Sequence, residues 1–255
     1  MAGAEYAPGD AYGDEALTTR VAGYEELTAG LGKLLALGAR WGPPESACIW
    51  PSVIGRIASV ERSAGVNVWL ELALYPALLS LYSAGIAALS GNRFDTLAAL
   101  LASRVVQVRE EWKPVAAAIY PQAAVEHRVA QRLHGLERRH TPLSDHLVEV
   151  LRPWLADLIP LEAEYERQFD GFEFVLGLVH FDLTRGESGG WGPVGRFSWR
   201  GEYRRGEDTV IAEELLSGDR QPLLDAGLFL GSRERLKESV EGYVAHVAAM
   251  RRSQF

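Results

Sequence analysis

Cysteine occurs once in these 255 residues, at Cys48, so no disulfide forms within the chain. Stability must come from buried apolar surface, and a reducing compartment fits. Lysine is nearly as scarce: Lys33, Lys113 and Lys237 are the whole set. Arginine therefore carries most of the positive charge. With the abundant Ala and Gly, this points to a GC-rich bacterial genome and not to phosphate recognition. Acidic residues outnumber basic ones 34 to 26, for a net charge of −8. A field of that sign opposes broad nucleic-acid binding. The chain has no Gly-x-x-x-x-Gly-Lys-Ser/Thr loop, no Gly-x-Ser-x-Gly elbow and no dinucleotide fingerprint, and the "GLGK" at 30–33 lacks the required spacing. P-loop, hydrolase-elbow and dinucleotide chemistry have no motif here. The opening "MAGAEYAPGDAYGDEAL" carries acidic residues and no apolar centre, so it reads as neither a secretory signal nor a transit peptide. A cytoplasmic protein is expected. Strand-like alternation is nearly absent, which leaves an all-α class.

One apolar run does stand out. Leu72 to Leu89 has no charged residue over 18 positions, the threshold for a spanning helix. Glu71 precedes it, Pro76 lies near its start, and Ser80, Ser83 and Gly85 dilute it. No Lys or Arg cluster flanks it closely enough to set an orientation. It reads as a buried helix, with no membrane partner. "SGNRFD" breaks the run, and helical spacing resumes through Phe94, Leu97, Leu101 and Val105. Gly85, Ala88, Phe94 and Ala98 make this pair resemble a tetratricopeptide hairpin, in which small residues admit close helix approach. No second copy follows at a fixed period.

The rest of the chain fills in a multi-helix bundle or an irregular array of helical hairpins. Residues 1–14 are expected to be mobile, and 15–255 to form one helical domain with a subdivision near 186–206. Leu17, Val21, Tyr24, Leu31 and Leu35 mark a first amphipathic helix, weakened by Gly23, Gly30 and Gly32. A second helix follows around Cys48, Val53, Ile54 and Ile57. "EEWKPVAAAIYPQ" is bounded by prolines, and Val125, Val129, Leu133 and Leu136 stripe a polar, basic helix after it. Pro142 opens a helix buried on Leu147, Leu151, Trp154 and Leu158, with a kink at Pro153. The clearest periodicity is Tyr165, Phe169, Phe172, Leu176, Val179 and Leu183. The Gly-rich 186–206 segment, with Phe197, Trp199 and Tyr203 alternating, reads as a long loop or short hairpin. A short helix around 211–216 and a last helix with Leu236, Val240, Tyr243, Val247 and Met250 on one face close the series.

Few residues offer chemistry. Glu137 and His140 form a single Glu-x-x-His pair, whereas a di-iron bundle needs two. Glu173, His180 and Asp182 fall on one helix, where a buried His most often donates to a backbone carbonyl. Cys48 near a helix start reads as a small buried apolar residue. No cofactor or metal is expected. Trp191, Phe197 and Trp199, with Tyr243 and Val247 of the last helix, are the candidate partner or lid surface. They serve either an interaction surface or a helical pocket for a small apolar ligand.

Two resemblances add expectations. Arg128 and His134 match the Arg-x(4–6)-His pattern of the HEPN ribonucleases, with Val129 departing from the polar residue usual after the Arg. The resemblance implies a dimer whose Arg128 and His134 cleave RNA, the imidazole moving a proton and the guanidinium holding phosphate. "YPALLSLYSAGIAAL…RFDTLAALL" and "FDGFEFVLGLVHFDL…WGPVGRFSW" resemble the helical regions of large bacterial multidomain proteins of conflict or antiphage systems. That resemblance implies a non-enzymatic interaction, scaffold or sensor module with a protein partner or a homo-oligomeric state. It assigns no residues.

Overall fold

A computed structural model of the chain describes residues 12–59, 65–108, 111–188, 190–202, 205–217 and 221–253. Helix α1 (Asp14–Trp41) leads through a 3₁₀ turn to α2 (Ile49–Ala58), α3 (Asn67–Leu72), α4 (Tyr75–Ser90) and α5 (Phe94–Ala102). Strands β1 (Arg104–Val108) and β2 (Glu111–Pro114) follow, then the single turns α6 (Val115–Ala118), α7 (Pro121–Ala124) and α8 (His127–Ala130). Next come α9 (Pro142–Leu155), α10 (Glu162–Ser188), and the two-residue strands β3 (Gly201–Glu202) and β4 (Arg205–Gly206). Helices α11 (Glu207–Ser217), α12 (Gln221–Asp225) and α13 (Arg233–Ser253) end the chain. The class is all-α, as the sequence implies.

Helix α4 lies at the centre, with α1, α2, α5, α9 and α10 packed against it. Pro76 sits in its first turn, where the missing N–H costs nothing, and Gly91 caps its end. The stretch Asn67–Ser90 is long and apolar enough to cross a membrane, yet 83% of its most apolar window is buried inside the protein. Its polar groups are satisfied there. Tyr75 donates to Glu25 Oε1 at 2.8 Å, Ser80 to the Pro76 carbonyl at 2.8 Å, Ser83 to the Gly32 carbonyl at 2.9 Å, and Tyr82 to Glu173 Oε1 at 3.0 Å. Gly85 is indeed a close-approach glycine, but its neighbour is not the hairpin partner α5. A Cβ there would stand 2.0 Å from the Phe172 ring of α10.

Helix α10 is the second buried axis: Tyr165 and all of 169–182 are buried. Leu183, expected on the buried face, is exposed. Pro142 opens α9 as anticipated, and the helix ends two residues after Pro153. The last helix lays Leu236, Val240, Tyr243 and Val247 into the core of its own chain. One hydrophobic cluster runs from Leu17 to Val247 and includes Phe197, so the 186–206 segment shares the common core.

Four expectations need correction. Val105 continues no helix: it lies in β1, paired antiparallel with β2, and the Val115 N–H closes the hairpin on the Ser103 carbonyl at 3.0 Å. β-branched residues in "RVVQV" are the local reason. The 125–140 segment is no continuous helix. Val125 and Glu126 are extended, and Gly135 takes a left-handed φ of 80°. Turns bury Val125, Val129, Leu133 and Leu136 one by one. Cys48 is exposed. Finally, residues 1–11 of the expected mobile N-terminus lie outside the described residues, but Tyr12 is packed edge-on against Trp69 at 5.5 Å and Asp14 starts α1.

Candidate functional site

The acidic face of α10 organises the strongest polar cluster among the described residues. Glu166, Asp170 and Glu173 recur at helical spacing, so they line one side of the helix. A strap formed by residues 190–200 crosses that side. Arg196 bonds Glu166 at 2.9 Å and approaches Asp170 Oδ1 at 3.6 Å, while Arg200 bonds Glu166 at 2.9 Å and Asp170 at 3.0 Å. Burial pushes the Glu166 carboxyl up, but the hydrogen bonds from Arg200 and Arg196 outweigh it and hold it below its ordinary range.

Glu173 has no such cation bonded to it. Ser144 of α9 donates to its Oε2 at 2.7 Å, and the Arg196 backbone N–H reaches the same oxygen at 3.2 Å and Ser144 Oγ at 2.9 Å. With Tyr82, these contacts tie α4, α9, α10 and the strap to one carboxyl. Burial lifts its pKa to about 8, with the Ser144 and Tyr82 hydrogen bonds opposing, so at neutral pH it is mainly a neutral acid. The sequence grouped Glu173 with His180 and Asp182, but the structure separates them. His180 Nδ1 lies 2.9 Å from the Ala116 carbonyl, and burial lowers its pKa. Asp182 accepts from Arg235 and Ser239 of α13, each at 2.8 Å. All three act as interior ties.

The strap runs into a short hairpin, β3 paired with β4, while Phe197 and Trp199, whose alternation suggested a hairpin, lie in a 3₁₀ turn before it. Thr184 donates to the Trp191 carbonyl at 3.0 Å, His246 lies 3.0 Å from the Gly192 carbonyl, and Tyr243 donates to the Pro193 carbonyl. Phe197, Tyr243 and Val247 are fully buried, 0% exposed, so they form no partner or lid surface. Their apolar area is spent on packing the strap and α13 onto α10. Trp191 and Trp199 are half-buried and do face a groove between the strap, α13 and the 121–142 segment. Two small cavities of about 40 and 70 Å³ share Gln122, His127, His140, Thr141 and Val194 in their walls. His140 stacks on Trp199 with ring centroids 4.2 Å apart. A larger cavity of about 120 Å³ lies between α5, α10 and α11, and none of the candidate site residues named from the sequence lines it.

Arg128 and His134 are both exposed, on either side of the break after α8, and neither lines these cavities. No group of three or more His, Cys, Asp or Glu side chains suited to a metal occurs among the described residues.

A further surface went unnoticed in the sequence. Leu27, Leu34 and Trp41 recur every seven residues on α1, with Leu37 between the last two, and all four are exposed. Leu34 is 58% and Trp41 65% accessible. The heptad spacing was legible, but the buried stripe Leu17–Val21–Leu35 of the same helix concealed it.

No protein-family model, no curated protein and no solved structure matches this chain.

Proposed function

We propose that this chain is a non-enzymatic interaction module that pairs with a second copy of itself along the outer face of α1. The observation that carries this reading is the exposed Leu27–Leu34–Leu37–Trp41 stripe, opposite the face that α1 buries on α4. An exposed apolar patch on a well-packed chain marks an interaction surface. Heptad spacing suits a second helix. In an antiparallel pair Leu27 meets Leu37 of the other copy, Leu34 lies over Gly30, and Trp41 over Gly23, so large residues face small ones or each other. The same register sets Glu26 opposite Arg40, whose half-buried guanidinium is bonded to Ser90 of its own chain. It also brings Lys33 near its own copy across the two-fold axis. The resemblance to helical regions of conflict proteins agrees with a partner-binding role. The catalytic alternative has less support, because Arg128 and His134 lie exposed on either side of the break after α8 and line no cavity described above, and the buried Glu173 and Asp182 are each held by protein donors.

Sedimentation velocity over a concentration series tests this. The wild type should dimerise, and Leu34→Glu with Trp41→Ser should be monomeric and folded. Lys33→Ala should tighten an antiparallel dimer and leave a parallel one unchanged. A wild type that stays monomeric throughout overturns the reading. Cleavage of single-stranded RNA, lost in both Arg128→Ala and His134→Ala, would put the nuclease in its place.

A further inference from the structure

The cavity of about 120 Å³ between α5, α10 and α11 has an apolar floor and a polar rim. Leu97, Val175, Ile211, Leu215 and Leu223 make the floor, and all are buried. Asn92, Arg167 and Glu214 are exposed, so the cavity opens to solvent beside them, with the half-buried Gln168 next to Arg167 on α10. The side chains of Asn92, Arg167 and Gln168 bond to no other residue among those described. The rim thus offers a guanidinium and two amides that the fold itself does not use. Glu214 adds the opposite charge, and a carboxylate accepts several hydrogen bonds at once.

A cation and an anion at one opening match a ligand that carries both. A bare carboxylate would meet Glu214 as well as Arg167, and a bare amine would meet Arg167 as well as Glu214. The floor sets the size. A cavity of about 150 Å³ holds benzene, so one of about 120 Å³ holds a branched butyl group but no substituted ring.

We propose that this cavity binds a free aliphatic α-amino acid of leucine size. Its side chain lies on the floor, its carboxylate at Arg167 and its ammonium at Glu214. Asn92 and Gln168 carry both donors and acceptors and fit either charged group. No residue of α1 lines the cavity, so the site stands or falls independently of self-pairing.

The test is isothermal titration calorimetry and saturation-transfer NMR on the full chain. The probes are L-leucine, 4-methylpentanoate (leucine without its ammonium), 3-methylbutylamine (leucine without its carboxylate), L-phenylalanine and N-acetylleucinamide. Leucine should bind at least tenfold more tightly than each of the others. Arg167→Gln and Glu214→Gln should each weaken leucine about tenfold with unchanged circular dichroism. Leu215→Phe, which fills the floor, should abolish binding; should it fail to fold, the two exposed rim variants carry the test. Binding of 4-methylpentanoate or 3-methylbutylamine as tight as that of leucine overturns the paired-charge assignment. Phenylalanine binding as tightly as leucine overturns the size limit. N-acetylleucinamide binding as tightly would reveal a cleft for a leucine of a protein partner and overturn the free amino acid. Leucine binding that both rim variants leave intact lies elsewhere and overturns the site, as does the absence of binding by any probe.

Discussion

Helices α1 and α4 pack against each other more extensively than any other pair of helices, and their outward surfaces differ completely. Helix α4 is buried on every side, from Tyr75 through Ala88 except Pro76. Helix α1 buries Leu17, Val21, Leu35, Ala36 and Ala39 on one side and leaves leucines and a tryptophan in solvent on the other. Both are rich in apolar residues. One is covered by the chain's own helices, and the other keeps an exposed apolar stripe. An apolar stripe therefore announces a helix, but whether it is core depends on the number of neighbours that reach it.

The largest effect that sharpens this contrast is expected in α4. Leu79→Ala removes a fully buried side chain from the middle of the bundle and should lower unfolding free energy by about 2–5 kcal/mol in urea titration. A loss below about 1 kcal/mol would mean that α4 is looser than its burial implies.

Second in size is the pH dependence set by Glu173. Its folded-state pKa is raised to about 8 from 4.5, so the folded state holds a proton that the unfolded state releases. Stability from this group is full below about pH 4.5, falls as pH rises and is lost above about 8, a change on the order of a few kcal/mol. Glu173→Gln should flatten that slope. Its carbonyl oxygen can accept from Ser144 and the Arg196 N–H, while its amide donates to Tyr82. An unchanged slope in the variant would show that another group sets it.

Third, two glycines of α1 separate its two faces. A Cβ at Gly32 would meet the Trp154 ring at 2.6 Å, whereas Gly30 has nothing within 4 Å. Gly32→Ala should destabilise by about 1–3 kcal/mol, and Gly30→Ala should stabilise by roughly 0.5–1 kcal/mol. Thermal melts of the two variants should shift in opposite directions. The smallest effect belongs to the outer stripe. Leu34→Ser, measured at a concentration where the chain is monomeric, should change unfolding free energy by no more than about 0.5 kcal/mol. A larger loss would show that the stripe already has a partner within its own chain.

Much of the fold was legible because helix-forming patterns are local. Pro142 and the Tyr165–Val179 spacing fixed α9 and α10, and the density of Gly and aromatics fixed the strap. The candidate sites were less legible. Trp191 and Trp199 were found by their chemistry, but Phe197, Tyr243 and Val247 share that chemistry and are buried. The lining of the groove joins His127 and His140 to Arg251, over a hundred positions away, and no local pattern carries that distance.

The sequence by itself determined the helical class, the depth of the Leu72–Leu89 run and the lack of any metal or nucleotide motif, because composition and periodicity act within a few turns of chain. Only the tertiary structure decided the rest. It broke the 125–140 segment into turns, since four buried side chains there are satisfied without a continuous helix. It made Glu173 a neutral tie between four elements, since its burial depends on α4, α9 and the strap together. It also left one apolar face of α1 open, since the chain's other helices gather on the opposite side.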